Sequence, residues 1–234
     1  MGHPGARRGQ RLADLIGSRL NHRTRIKICG LTREADVQAA VEAGADAVGF
    51  VLYGKSPRFV GVERAAELAR LLPPFVTPVG LFVNAEPALV ARAVAALPGL
   101  LLQFHGDETA GACRVAGRPY LRAARMAQGF DLLDFARQFA DAQGLLLDAH
   151  VEGYGGGGKV FDWSLIPRGV PLPVVLSGGL HAANVIAGIL SVRPWAVDVS
   201  SGVESAPGIK DAAALSRFCD AVRDADARIA DAQS

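Results

Sequence analysis

The feature that most restricts this chain is a repeated exchange of period. Eight short apolar runs, at 25–29, 47–52, 77–82, 100–103, 120–123, 144–147, 174–176 and 196–199, alternate with stretches of helical spacing. The runs are continuously apolar rather than alternating, as strands of a parallel sheet covered on its outer face should be. The helical stretches fall at 34–43, 62–72, 87–96, 107–116, 130–139, 182–190 and 211–232, with a shorter one near 163–166. Punctuation agrees with this reading. Thr32 can cap the first helix and Gly44 close it; Pro73 and Pro74 stop the second; Pro87 opens the third. Eight strand–helix units predict an α/β protein, a single (β/α)8 TIM barrel over 24–234, in preference to an open doubly wound sheet. No G-x-G-x-x-G follows the first strand, which further disfavours a dinucleotide fold.

Residues 1–23 stand outside the rhythm. They are Arg-rich, and Leu12, Leu15, Ile16 and Leu20 have helical spacing, so the segment reads as a basic extension, flexible or a short helix. It lacks the apolar centre of a secretory signal. The net charge of +2 gives no reason to expect nucleic acid or a membrane surface as partner. No apolar run approaches the roughly 18 residues of a membrane span. The three cysteines form neither a disulfide framework nor a zinc pattern, and free thiols suit the reducing cytoplasm.

In a barrel of this kind the chemistry sits where strands end, on the face built from the strand-to-helix loops. The stretch from Trp195 to Asp211 is the most telling. An apolar run opens there into Ser200, Ser201 and Gly202; upstream, Val174–Leu176 opens into Ser177, Gly178 and Gly179. Two adjacent glycine/serine turns after strands seven and eight make a cradle for one phosphate. The alternative is two connecting turns.

The other strand ends expose Cys29, Arg58, Asn84, His105, Arg122 and Asp148. Cys29 is either a general base, if a neighbouring cation favours its thiolate, or a small buried hydrophobe. Cys113 and Cys219 lie within helices and read as core. Asp148 follows three leucines, where a carboxylate is rarely packing; desolvation would suit it to general acid work. Arg58 could grip a substrate carboxylate bidentately or stand as a solvated loop residue. His105 is a substrate contact or a structural histidine. Gly155–Gly158 reads as a mobile lid or a plain loop. No cluster has metal-ligand spacing, so no metal is expected. No lysine ends strand six, so a Schiff-base aldolase lacks its nucleophile.

These residues resemble a known family. KICGLT (27–32), GADAVGFVLYGKSPRFV (44–60), VGLFVN (79–84), LQFHGDE (102–108), GGGGKVFDWSLI (155–166), LSGGLHAANV (176–185) and VDVSSGVESAPGIKD (197–211) resemble, in order, the motifs of phosphoribosylanthranilate isomerase of tryptophan biosynthesis. The resemblance implies an Amadori rearrangement of N-(5-phosphoribosyl)anthranilate to 1-(2-carboxyphenylamino)-1-deoxyribulose 5-phosphate, with no cofactor. It implies Cys29 as general base, Asp148 as general acid, and Arg58 as the anthranilate carboxylate contact. Gly178, Gly179, Ser200, Ser201 and Gly202 would hold the phosphate. It leaves monomer or homodimer open. Two departures stand out: Arg122 where the family often has Lys, and Ala149-His150 after the acid.

Three rivals remain. A histidine-pathway or dual-specificity sugar isomerase would use an Asp where Cys29 stands and bind two phosphates. A non-catalytic phosphosugar-binding barrel would not need both Cys29 and Asp148. Nucleic-acid binding through the Arg-rich extension would show steep salt dependence.

Overall fold

A computed structural model describes residues 23–149 and 160–232. The expectations for the N-terminal extension (apart from Arg23), for His150 and for Gly155–Gly158 concern residues outside that range. Eight parallel strands close into a barrel in sequence order: β1 Arg25–Cys29, β2 Ala47–Val51, β3 Thr77–Phe82, β4 Leu101–Phe104, β5 Tyr120–Met126, β6 Gly144–Ala149, β7 Val174–Leu176 and β8 Ala196–Val199. β1 pairs with β8, Lys27 opposite Asp198, so no edge is left open. The helices are α1 Glu34–Glu42, α2 Val62–Ala69, α3 Pro87–Ala96, α4 Ala110–Arg114, α5 Leu132–Gln138, α6 Val185–Val192 and α7 Ala212–Asp231. The expected α/β barrel is therefore the observed one.

Alternate residues of each strand face opposite ways, and that period decides what each does. Ile26 and Ile28 of β1, Val48 and Phe50 of β2, and Leu145 and Leu147 of β6 belong to the main core cluster, shared with the helices. Full burial of such a side chain contributes roughly 1.5–3 kcal/mol. The other parity points into the barrel. Ala123, Leu146, Val175 and Ala196 form a small separate apolar cluster. One register step further along each strand the filling turns polar: Arg125 opposite Asp148 on β5 and β6, then Ser177 and Asp198.

Several local expectations need correction. Thr32 does not cap α1: Arg33 holds that position without a side-chain bond, and the Thr32 hydroxyl donates to the Gly208 carbonyl at 2.7 Å. α4 is shorter than expected at both ends, beginning at a Thr109 cap. Strands β5 and β6 run longer, so Asp148 lies within β6 rather than beyond it. After β8 the chain forms a single turn, Ser201–Val203, and a small hairpin, β9 Glu204–Ala206 and β10 Ile209–Lys210. Its two short, polar strands carry too little apolar pattern to stand out in a sequence. No described helix is long and apolar enough to cross a membrane.

Candidate active site

Lys27 and Cys29 share one face of β1, pointing into the barrel. The Lys27 ammonium lies 2.6 Å from Asp198 Oδ1, and Ser177 Oγ donates to Asp198 Oδ2 at 3.1 Å. Burial works against the ammonium. The Asp198 carboxylate, with Cys29 beside it, outweighs that and holds Lys27 above the ordinary lysine range. Burial pushes the Cys29 thiol up; Lys27, which hydrogen-bonds to the sulfur, pulls it down, and Asp198 opposes Lys27. The net shift is upward, because burial is the largest influence and Asp198 offsets part of what Lys27 contributes. Gly49 makes this crowding feasible: a Cβ there would sit 2.7 Å from the Cys29 sulfur and 3.2 Å from Lys27 Nζ.

Asp148 is held at both oxygens. The Ala149 N–H donates to Oδ1 at 2.9 Å, and His105 Nε2 lies 3.1 Å from Oδ2. His105 Nδ1 in turn lies 3.1 Å from the Gln103 side-chain amide nitrogen. With that amide donating, Nδ1 accepts and Nε2 carries the proton toward Asp148. His105 is thus bonded to the side chains of Asp148 and Gln103 and also borders the cleft.

The two turns after β7 and β8 press together. Gly178 and Gly179 take φ of +82° and +62°, a left-handed pair that L side chains avoid. A Cβ on Gly178 would stand 2.9 Å from Asp148 Oδ1, and one on Gly202 would overlap the Leu180 carbonyl oxygen. Asn184 accepts from His181 N–H at 2.8 Å and donates to the Gly179 carbonyl at 3.0 Å, pinning the first turn. Ser200 Oγ donates to the Cys29 carbonyl at 3.0 Å, tying the second turn to β1.

Arg58 comes from the loop that follows β2, folded back by the Val60 N–H donating to the Val51 carbonyl. It is not a solvated loop residue. Its Nε and Nη2 donate to Glu204 Oε1 and Oε2 at 2.8 and 2.7 Å. Lys210 Nζ reaches the same Glu204 Oε1 at 2.8 Å.

These groups meet in a cleft at the strand C-terminal end, lined by Cys29, Arg58, His105, Asp148, Gly178, Gly179, Ser200 and Ser201 among others. Gly202 is the exception; it serves the cleft from behind by allowing the two turns to touch. Cys29 and Asp148 therefore face one compartment.

Residues 26–221 match the family model described as N-(5'phosphoribosyl)anthranilate (PRA) isomerase. The chain is 76% identical over 208 residues to N-(5'-phosphoribosyl)anthranilate isomerase of Methylibium petroleiphilum, covering 89% of this chain and 98% of that one. The chain belongs to the phosphoribosylanthranilate isomerase family. Among solved members, the Thermotoga maritima isomerase superposes with a TM-score of 0.78 at 41% identity, covering 86% of this chain and 99% of that one. Another isomerase structure, in complex with reduced 1-(o-carboxyphenylamino)-1-deoxyribulose 5-phosphate, matches with a TM-score of 0.75 at 38% identity, covering 86% and 99%.

Within this isomerase fold, two strand-end residues do not line the cleft: Asn84, whose Oδ1 accepts from the Asp107 N–H at 2.7 Å, and Arg122. Arg122 faces outward from β5, stacks over Phe139, and donates to the carbonyls of Phe104, Gly106 and Ala123. The cation of β5 on the inward parity is Arg125, in register with Asp148 and paired with Asp107 at 2.6 Å. Sequence reasoning also missed Lys27, Gln103, Asp198, Glu204 and Lys210. The first three were detectable: each lies two residues before a named group at or just past the end of its strand, and a polar residue inside an apolar run must face the site or find a partner.

Proposed function

We infer that this protein catalyses the Amadori rearrangement of N-(5-phosphoribosyl)anthranilate to 1-(2-carboxyphenylamino)-1-deoxyribulose 5-phosphate in tryptophan biosynthesis. One observation carries the residue assignment: a single cleft holds a thiol, a carboxyl, an arginine and two glycine/serine turns. The substrate has a phosphate at one end and a carboxylate at the other. In this reading Gly178, Gly179, Ser200 and Ser201 hold the phosphate through backbone N–H groups and hydroxyls, with Gly202 supporting the turn. Arg58 takes the anthranilate carboxylate.

Asp148 is the general acid. It protonates the furanose ring oxygen, and the ring opens to a Schiff base. Cys29 is the general base. As thiolate it removes the proton from C2′, giving an enolamine that tautomerises to the ketone. The hydrogen moves within one molecule and nothing is oxidised or reduced overall, so acid and base suffice. His105 keeps the carboxyl aimed, and Lys27 supports the thiolate form against the burial that opposes it.

The test is turnover of the anthranilate substrate by purified protein, with rescue of a tryptophan auxotroph lacking this step. The wild-type chain is expected to convert substrate and restore growth, and Cys29→Ala to do neither. Binding without conversion by the wild-type chain would reduce it to a phosphosugar-binding barrel.

A further inference from the structure

We propose that Glu204 and Lys210 are positioning residues that set selectivity for a carboxylate on the substrate's aromatic ring, acting through Arg58. The proposal rests on the reading that Arg58 binds that carboxylate. The Arg58–Glu204 pair on its own presents a difficulty. An arginine locked bidentately onto a glutamate is half of a neutral pair, and a neutral pair attracts an anion poorly. Lys210 resolves it. Its ammonium, with no exposed side-chain surface, lies 2.8 Å from Glu204 Oε1 and 3.1 Å from the Ser200 carbonyl. Arg58, Glu204 and Lys210 together carry a net charge of one positive unit.

The geometry also selects an edge. Glu204 occupies the Nε and Nη2 side of the guanidinium. Among the described residues Nη1 has no partner, so the Nη1–Nη2 edge is the one left to meet a planar carboxylate. Arg58 lines the cleft, so this edge belongs to a group that borders the reacting centre. Holding the guanidinium in place beforehand removes side-chain entropy that binding would otherwise have to overcome. The hairpin is braced for this purpose. The Gly208 N–H donates to Glu204 Oε1 at 3.3 Å, and a Cβ at Gly208 would stand only 3.2 Å from the Pro57 carbonyl oxygen. Gly30 gives Arg58 its lane, since a Cβ there would lie 2.5 Å from Arg58 Cδ. A buried triad of charges is a poor device for stability alone, because apolar replacements often do as well.

The experiment compares two product analogues, one bearing the ortho-carboxylate and one with hydrogen in its place. Their dissociation constants are measured on wild type, Lys210→Met, and the double variant Glu204→Gln/Lys210→Met. Lys210→Met leaves Arg58 cancelled by Glu204. The carboxylated analogue is expected to bind about 10- to 100-fold more weakly, the figure for one unit charge at close range in a partly shielded site. The other analogue is expected to change less than about threefold, and KM to rise far more than kcat falls. The double variant restores the single positive charge on Arg58 without the lock, so it is expected to regain at least half of the lost discrimination on a logarithmic scale. Equal weakening of both analogues in Lys210→Met, no weakening of either, or a double variant worse than the single one would overturn the proposal. If the single variant does not fold, the double variant decides: retained preference for the carboxylate supports the charge argument, and loss of it refutes it. Arg58→Ala separates the two levels. Should it leave the carboxylate preference intact, the assignment of Arg58 itself fails, not only the role of its partners.

Discussion

Gly49→Ala is a one-carbon change whose effect follows from the geometry around β1 and β2. Gly49 sits opposite Cys29 across the β1–β2 ladder. A Cβ at that point would lie 2.7 Å from the Cys29 sulfur and 3.1 Å from the Cys29 Cα. Non-bonded contacts of this kind settle near 3.5–4 Å, so the sulfur must retreat by about 1 Å. The Cα belongs to a hydrogen-bonded strand and cannot yield much, and Lys27 Nζ blocks part of the remaining space. Misplacing a reacting group by about 1 Å lowers the rate on the order of 10²-fold. Overpacking a filled interior costs about 1–3 kcal/mol, or several degrees of Tm for a domain of this size. Steady-state kinetics and a thermal melt are the assays. The expected result is a kcat about 10²-fold down, a KM within a few-fold of wild type because Arg58 and the phosphate turns are untouched, and a folded protein with a lowered Tm. A folded variant with kcat within threefold of wild type would refute the claim that the sulfur's position is what the glycine protects.

Other changes test separate parts of the site. Cys29→Ala and Asp148→Ala should each lower kcat by at least about 10²-fold, the low end for losing a positioned acid or base; near-normal kcat in either would remove that residue from its role. Asp198→Asn removes an anion that raises the Cys29 thiol and frees the Lys27 cation to lower it. Thiolate then forms at lower pH, so the midpoint for iodoacetamide labelling of Cys29 should move down the pH scale; an upward shift or none would mean that Asp198 does not govern the thiol. Gly202→Ala should raise KM and weaken inhibition by inorganic phosphate together, since the added methyl separates the two turns; a rise in KM without loss of phosphate inhibition would place the phosphate elsewhere.

The barrel was legible because a strand that is buried on both faces leaves a dense apolar run, as in Leu145–Leu147, and each such run is bounded by glycine, proline or a polar cap. The candidate site was legible at strand ends for the same reason: Cys29 and Asp148 interrupt apolar runs. Arg122 was misplaced because its run was read as a block. Counting by twos along β5 would have sent it outward with Tyr120 and Ala124, and Arg125 inward with Ala123. The partners of Arg58 were hidden for a different reason. Arg58 and Glu204 are 146 residues apart, and only ring closure carries β8 and the hairpin after it beside β1 and the loop after β2. Hydrophobic period reports which face a residue takes, not which distant segment it will meet.

Because β1 and β8 are hydrogen-bonded neighbours, the sheet has no first or last member. A strand in an open sheet can fray from one side or slip its register and leave the rest standing. Here a slip of one residue in β6 would turn Asp148 toward the helices and break two ladders together. The spacing of thiol and carboxyl is thus inherited from the circumference of the ring, and a register error in any one strand is felt by both of its neighbours.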